Sequence, residues 1–295
     1  LAQDTVTEPS GEHDTEPAQA RELGSRLGRN LAAAAGVGVL FAVAVIAALF
    51  IVKEIFVGLV VLLVGVAVTE LAGALRPSGV RLSLLPLLAG VLGMLLGGYV
   101  GGTAVLVSAL GLTTLVICFW RLIGGRDGYV RDITASVFVA MYVPFLAGFA
   151  LLMLRPEDGA ARVFVFAAVT VSSDLGGYAA GVMFGKHKLV PTISPGKTWE
   201  GLAGSTLSCL AVGVVGVVLL LDGAWWAGLV LGLVCVITAT LGDLVESMLK
   251  RDLDIKDMGS VLPGHGGVMD RLDSLLPSAF ASWLVLTLLV PVAAG

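Results

Sequence analysis

From residue 31 onward the chain alternates long apolar runs with short polar joints. Runs almost free of charge lie near residues 31–50, 54–75, 82–98, 100–121, 133–154, 162–184, 200–221, 224–244 and 275–294. Each approaches the ~20 residues that a helix needs to cross the hydrocarbon layer of a bilayer. A spanning segment that is apolar all round must close its own backbone hydrogen bonds, which predicts helices. The third and fourth runs are split only by the glycine-rich stretch from Gly97 to Gly102. The predicted fold class is therefore all-α: a polytopic integral membrane protein of about nine transmembrane helices.

Composition supports that pattern. Of the 295 residues, 57% are hydrophobic and only 14% charged, with a mean hydropathy of +0.97, which excludes an ordinary soluble domain. Residues 1–22 are the exception, rich in Glu, Asp, Thr, Pro and Gln. With so little apolar surface to bury, this stretch predicts a disordered acidic tail. It lacks the basic start and apolar core of a signal peptide. Residues 23–160 read as N-terminal transmembrane helices, and 161–295 as the region that carries the chemistry. Cys118, Cys209 and Cys235 lie inside apolar runs and read as small core residues, without disulfide or metal spacing.

Basic residues set the predicted orientation. Nine spans with the N-terminus inside place fifteen of the 18 Lys and Arg residues in inner segments, leaving only Lys53, Arg155 and Arg162 outside. The tail and the polar segments near 185–200 and 247–273 then face the cytoplasm, and the C-terminus faces outward. The expected location is the cell membrane.

Most polar chemistry is gathered in a few places. Asp174 stands well inside an apolar run, where an ionisable group is costly and points to function. The alternative is a packing carboxylate bonded to Ser172 or Ser173. Next comes Ser194-Pro195-Gly196-Lys197-Thr198-Trp199-Glu200-Gly201, with a helix expected to begin near Lys197. Ser194, Lys197, Thr198 and that helix N-terminus offer donors to a phosphate. Glu200 suits the helix start electrostatically, and Lys186, His187 and Lys188 read equally as membrane-boundary anchors. Asp243 and Glu246 share a helix face, as do Asp270 and Asp273, and either pair can turn toward one cation. A Glu246–Lys250 ion pair is the competing reading for Glu246.

Ser247 to Asp273 is the densest stretch, with four basic residues, five acidic ones, a histidine and a Gly-His-Gly-Gly turn. Carboxylates suit a hard cation, while Lys250, Arg251, Lys256 and Arg271 suit phosphate oxygens. Gly266 and Gly267 offer backbone donors to an anion, and His265 reads as a phosphate donor or a turn residue. No Walker-type loop or strand-associated GxGxxG is present, and no nucleic-acid partner is expected.

This stretch resembles the signature of the phosphatidate cytidylyltransferases, also called CDP-diacylglycerol synthases. The matching positions are Ser247, Leu249, Lys250, Arg251, Lys256, Asp257, Gly259, Leu262, Pro263, His265, Gly266, Gly267, Val268, Asp270, Arg271 and Asp273. The segment from Ser194 to Gly201 is similar to the family's Ser-Pro-x-Lys-Thr-x-Glu-Gly. The resemblance is strongest over about residues 170–275 and implies transfer of a cytidylyl group from CTP to phosphatidic acid within the membrane, with Mg2+ and room for a second cation. It implies Asp243 and Asp270 as main metal ligands, supported by Asp273 and Asp174, and Asp243, Asp270, Lys250 and Arg251 as catalytic. It also draws Ser247 and Asp257 into substrate binding and implies a homodimer. The rival readings are a CTP-dependent transferase acting on an isoprenoid or ether-lipid phosphate and, more remotely, an ion-coupled transporter with Asp174 and Asp243 as its carboxylates.

Overall fold

The computed structural model describes residues 43, 45–259, 261 and 266–292. The predicted acidic tail, most of the run at 31–50, and the signature positions Leu262, Pro263 and His265 lie outside the described residues. The chain divides into Leu1–Ile46 and Ala47–Gly295; of the first, Val43, Val45 and Ile46 are described and all are helical. The account below concerns the second.

Its helices follow the apolar runs. They are α1 (Lys53–Leu75), α2 (Leu84–Gly101), α3 (Thr103–Leu122), α4 (Tyr129–Ala140), α5 (Leu146–Leu154), α6 (Gly159–Phe184), α7 (Trp199–Leu220), α8 (Trp225–Asp252), α9 (Met269–Leu272) and α10 (Leu275–Leu289). A π-helical turn, Met141–Phe145, joins α4 to α5 around Pro144. Proline has no N–H to give and its ring crowds the preceding turn, so the helix widens there instead of breaking. With α4–α5 and α9–α10 each taken as one span, the described residues hold 8 helices long and apolar enough to cross a membrane. These correspond to the runs predicted from residue 54 onward.

The glycine-rich split resolves into a one-residue joint. Gly102, at φ +82, is the end of α2 and the start of α3, a left-handed conformation that a side chain disfavours. Glycine also sets helix spacing elsewhere. A Cβ at Gly176 of α6 would collide with Ser208 of α7, and one at Gly213 of α7 with the Gly228 carbonyl of α8. Removing these side chains lets α6, α7 and α8 pack backbone to backbone, the usual mode of tight association in lipid. Leu87, Met94, Leu95, Leu106, Leu151 and Leu286 are fully buried, and the Phe149 ring lies 4.9 Å from both Phe280 and Trp283. Leu62, Leu112, Phe119, Leu207 and Leu288 point outward, an arrangement suited to a hydrocarbon surround.

The two ends of the helices differ in charge. Lys53, Arg155 and Arg162, the basic residues assigned to the outer side, each bond backbone carbonyls at one end. Lys53 reaches Pro156 O at 3.2 Å and Arg155 reaches Val100 O at 3.2 Å. Arg162 is buried, held by Asp158 at 2.8 Å, and donates to Leu286 O and Val290 O at the C-terminal end of α10. Cations on terminal helix carbonyls satisfy acceptors that have no helical partner. The other described Lys and Arg residues belong to the opposite helix ends and their joints.

One joint at the basic end departs from helix. β1 (Lys188–Val190) and β2 (Ser194–Thr198) form an antiparallel ribbon, with Lys188 opposite Thr198 and Val190 opposite Ser194. The helix expected near Lys197 begins at Trp199, because Thr198 is still extended and caps it, its Oγ1 accepting from Gly201 N at 3.0 Å. Capping by a threonine hydroxyl fixes the boundary between ribbon and helix.

Candidate active site

Asp174 sits on α6 within reach of the ribbon and of α8. Together with Ser194, Lys197 and Thr198 of β2, Asp243 of α8, and Asp270, Arg271 and Asp273 of the α9 segment, it lines one cavity of 630 Å³. That volume lies within the range of small-ligand sites. A second cavity of 380 Å³ adjoins it and is lined by Ser247, Lys250, Arg251 and Lys256. Ser194 borders both. Asp257 stands by Gly266, whose added Cβ would fall 3.2 Å from Asp270 Oδ2 and 3.5 Å from Asp257 Oδ1. Residues spread over 100 positions of sequence are thus brought to one helix end, apart from His265, which lies outside the described residues.

Opposite charges are interleaved rather than separated. Lys197 Nζ pairs with Asp243 Oδ2, joining the ribbon to α8. Lys250 Nζ bridges two carboxylates, Glu246 Oε2 at 2.8 Å and Asp270 Oδ1 at 3.0 Å. The Glu246–Lys250 pair therefore forms, but as half of a link to the signature. Asp270 also accepts from Met258 N at 3.1 Å and Gly267 N at 2.8 Å, so its carboxylate gathers the loop around itself. Arg251 Nε contacts Ile193 O at 3.4 Å and ties α8 to the ribbon turn.

Asp174 is placed differently. Ser172 Oγ donates to Val169 O, and the Ser173 carbonyl accepts from Ser205 Oγ. The hydroxyl-bonded packing role is therefore not what this side chain does: it is exposed to the cavity. Glu200 is likewise more than a charge at a helix start. Its Oε1 lies 2.6 Å from His187 Nδ1, and its Oε2 accepts from the N–H groups of Lys186 and His187. It fastens the ribbon's entry to α7.

The pattern described as the Cytidylyltransferase family matches residues 33–289. The chain belongs to the cytidylyltransferase family. Similar proteins named phosphatidate cytidylyltransferase occur in Mycobacterium leprae (strain TN), 43% identical over 280 residues, covering 90% of this chain and 90% of that protein. Those of Mycobacterium bovis (strain ATCC BAA-935 / AF2122/97) and Mycobacterium tuberculosis (strain ATCC 25618 / H37Rv) are each 42% identical over 278 residues. They cover 90% of this chain, and 91% and 85% of the respective relative. The resemblance of the signature thus extends along nearly the whole chain.

The family implies a divalent cation, and the donor set here suits a hard one. Asp273 stands against both Asp243 and Glu246, and Glu246 Oε1 is buried without a hydrogen-bond partner among the described residues. Carboxylates crowded together with an oxygen unused fit an oxygen-seeking cation. Among the described residues, however, no group of three or more His, Cys, Asp or Glu side chains is already arranged as a metal centre. Lys197 and Lys250 hold Asp243 and Asp270 in the meantime.

Two residues of this family member were missed by sequence reasoning. Glu70, on α1, is buried, and its Oε2 accepts from Met269 N at 2.9 Å, at the start of α9. Gly259 and Gly267 press their bare backbones against the same carboxylate, so a helix of the N-terminal region holds the signature in place. Its signal was available: a Glu inside an otherwise apolar run, the same reasoning that singled out Asp174. Tyr142, on the π-helical turn, has a buried hydroxyl without a hydrogen-bond partner among the described residues and lies within electrostatic reach of Asp273, Glu246 and Asp243. No sequence pattern announced it, because only the turn around Pro144 aims it there.

Proposed function

We propose that this chain transfers the cytidylyl group of CTP to phosphatidic acid, giving CDP-diacylglycerol and pyrophosphate. The carrying observation is the meeting of Asp174, Lys197, Asp243, Asp270, Arg271 and Asp273 around one cavity at the basic end of the helices. The family relationship and the names of relatives aligned over most of their length supply the substrates.

The chemistry asks for positioning more than for acid–base work. A phosphatidate phosphate is already ionised and can attack the α-phosphorus of CTP, with pyrophosphate leaving in line. Mg2+ held by Asp243 and Asp270, with Asp273 and Asp174 in support, would offset charge on the phosphates. Lys197, Lys250, Arg251, Lys256 and Arg271 bind phosphate oxygens, as do the hydroxyls of Ser194, Thr198 and Ser247. The Gly266–Gly267 backbone is assigned to the same anion, with the Gly267 N–H first leaving Asp270, together with His265 and with Asp257 as a loop partner. Lys197 and Lys250, which pair with Asp243 and Asp270 here, are placed to turn to the CTP phosphates, and the two carboxylates would then be available to hold the cation. Once so placed, these charges offset the negative charge that develops on the departing pyrophosphate.

In this reading the basic end faces the cytoplasm, where CTP is found, and the C-terminus faces outward. The excess of Lys and Arg at that end supports it. Acyl chains remain in lipid between helices, and the active form is a homodimer.

The test is conversion of labelled CTP into chloroform-soluble lipid by the purified full chain. Label in lipid is expected only when phosphatidic acid and magnesium are both present. Transfer to an isoprenoid phosphate in place of phosphatidate would move the reading to the rival substrate. Absence of CTP binding by folded protein would overturn it.

A further inference from the structure

A cavity of 1140 Å³ opens between the α1–α2 and α3–α4 joints, and none of its lining residues is shared with the two cavities of the candidate active site. Arg76, Arg81, Arg121 and Arg131 line it, against two carboxylates, Asp127 and Asp132. The carboxylates do not cancel the arginines. Asp127 is fully exposed and is 4.0 Å from Arg126. The Asp132 side chain is 0% exposed and accepts from Arg121 Nε at 3.0 Å, Arg131 Nε at 3.2 Å and Arg81 N at 3.1 Å.

The four guanidinium groups are not equivalent. Arg121 is consumed by the fold, since its terminal nitrogens donate to Gly125 O at 3.1 Å and Asp127 O at 2.6 Å. Among the described residues Arg131 is bonded through Nε alone, which leaves both terminal nitrogens for a ligand. The guanidinium groups of Arg76 and Arg81 have no hydrogen-bond or ion-pair partner among the described residues. The joints are shaped around this arrangement. Gly79 at φ +78 and Gly128 at φ +71 lay bare backbone against the Arg131 guanidinium, where a Cβ would crowd its terminal nitrogens. Basic residues at a membrane boundary need no such framing to hold a topology; a buried carboxylate that aims two arginines does more than that.

We propose that this cavity binds a phosphate group, separate from the phosphates that react. A planar guanidinium fork matches phosphate oxygens two at a time, and three such groups with free nitrogens suit a phosphate mono- or diester. The cavity lies at helix ends, the level at which lipid headgroups sit, so its phosphate has two sources: an anionic lipid headgroup or a soluble phosphate. Whichever it is, the ligand sits one helix away from the candidate active site. α1 carries Thr69 to this cavity and, one residue on, Glu70 to the signature.

The experiment titrates the full chain, in non-ionic detergent, with dioctanoyl phosphatidylglycerol or with inorganic phosphate, following bound species by native mass spectrometry. The Arg76→Ala/Arg81→Ala variant is expected to bind the retained probe about tenfold more weakly than the parent protein. Arg76→Lys/Arg81→Lys should recover part of the loss, showing that the variants fold. Turnover of CTP and phosphatidic acid, with no other anionic lipid added, should be unchanged. Loss with phosphatidylglycerol alone assigns the site to a lipid headgroup, and loss with inorganic phosphate alone assigns it to a soluble anion. Equal binding of both probes by parent and double-alanine protein overturns the proposal. So does equal retention of dioctanoylglycerol, which has no phosphate, or binding that falls in Lys197→Met instead, which would place the probe in the reacting cavity. None of the binding readouts depends on the transferase activity.

Discussion

The two polar regions at the basic end of this membrane protein hold charge in different proportions. Around α6, the ribbon, α8 and α9, carboxylates and cations alternate, with Lys197 on Asp243 and Lys250 between Glu246 and Asp270. Between α1, α2, α3 and α4, four arginines share a cavity with one buried carboxylate and one exposed. The first arrangement sets each lysine against a carboxylate, the mixed donor set that the proposed cation and polyphosphate would divide between them. The second has only an anchor and open forks, so it can hold an anion but offers nothing to make it react. Interleaved charge suits chemistry, and an excess of one sign suits binding.

Substitutions that neutralise the carboxylates should break this contrast most sharply. Asp243→Asn and Asp270→Asn keep the side-chain size but remove the charge, and each is expected to lower turnover at least about a hundredfold. The protein should remain monodisperse in detergent. Near-normal turnover with unchanged magnesium dependence would remove these residues from the metal's neighbourhood.

Lys250→Met tests whether interleaving also supports the fold. Losing the shared cation leaves Glu246 and Asp270 facing each other in a buried setting, a change expected to destabilise by about 3 kcal/mol. Thermal unfolding in detergent reads the loss, and an unchanged midpoint would mean the bridge is dispensable.

Glu70 sharpens the comparison, because it links the two regions. Glu70→Ala strands the buried Met269 N–H, at about 1–3 kcal/mol, and should reduce turnover by displacing Asp270 and Asp273. Glu70→Gln keeps an acceptor and is expected to restore most of it. A structural role alone would lower stability in both variants without that difference in turnover. The smallest effect is expected at Thr198→Ala, where loss of the α7 cap amounts to about 1 kcal/mol. Lys53→Ala, at the opposite end, should leave turnover untouched in the same assay.

Much of the architecture could be read from the chain because lipid imposes a simple rule. Apolar runs of the required length had to be helices, and those from residue 54 onward are. The carboxylate within the sixth run and the dense Ser247–Asp273 stretch stood out because charge is rare everywhere else. The ribbon at Lys188–Thr198 and the start of α7 at Trp199 were less legible. Both depend on where Glu200 and Thr198 place their oxygens, a matter of a few ångströms that residue type does not encode.

The sequence by itself determined the membrane character, the family and the set of charged residues available for chemistry, since these follow from composition, run length and motif spacing. Which charges meet was decided by packing. Glycine contacts draw α6 against α7 next to the ribbon, at Gly177, Gly181 and Gly201, and α7 against α8 farther along, at Gly213 and Gly228. The π-helical turn at Pro144 turns Tyr142 toward the carboxylates, and α1 carries Glu70 to a signature nearly 200 residues away. Distance along a chain says nothing about distance across a bundle, so the pairing of Glu70 with Met269, and of Asp132 with its arginines, existed only once the helices were packed.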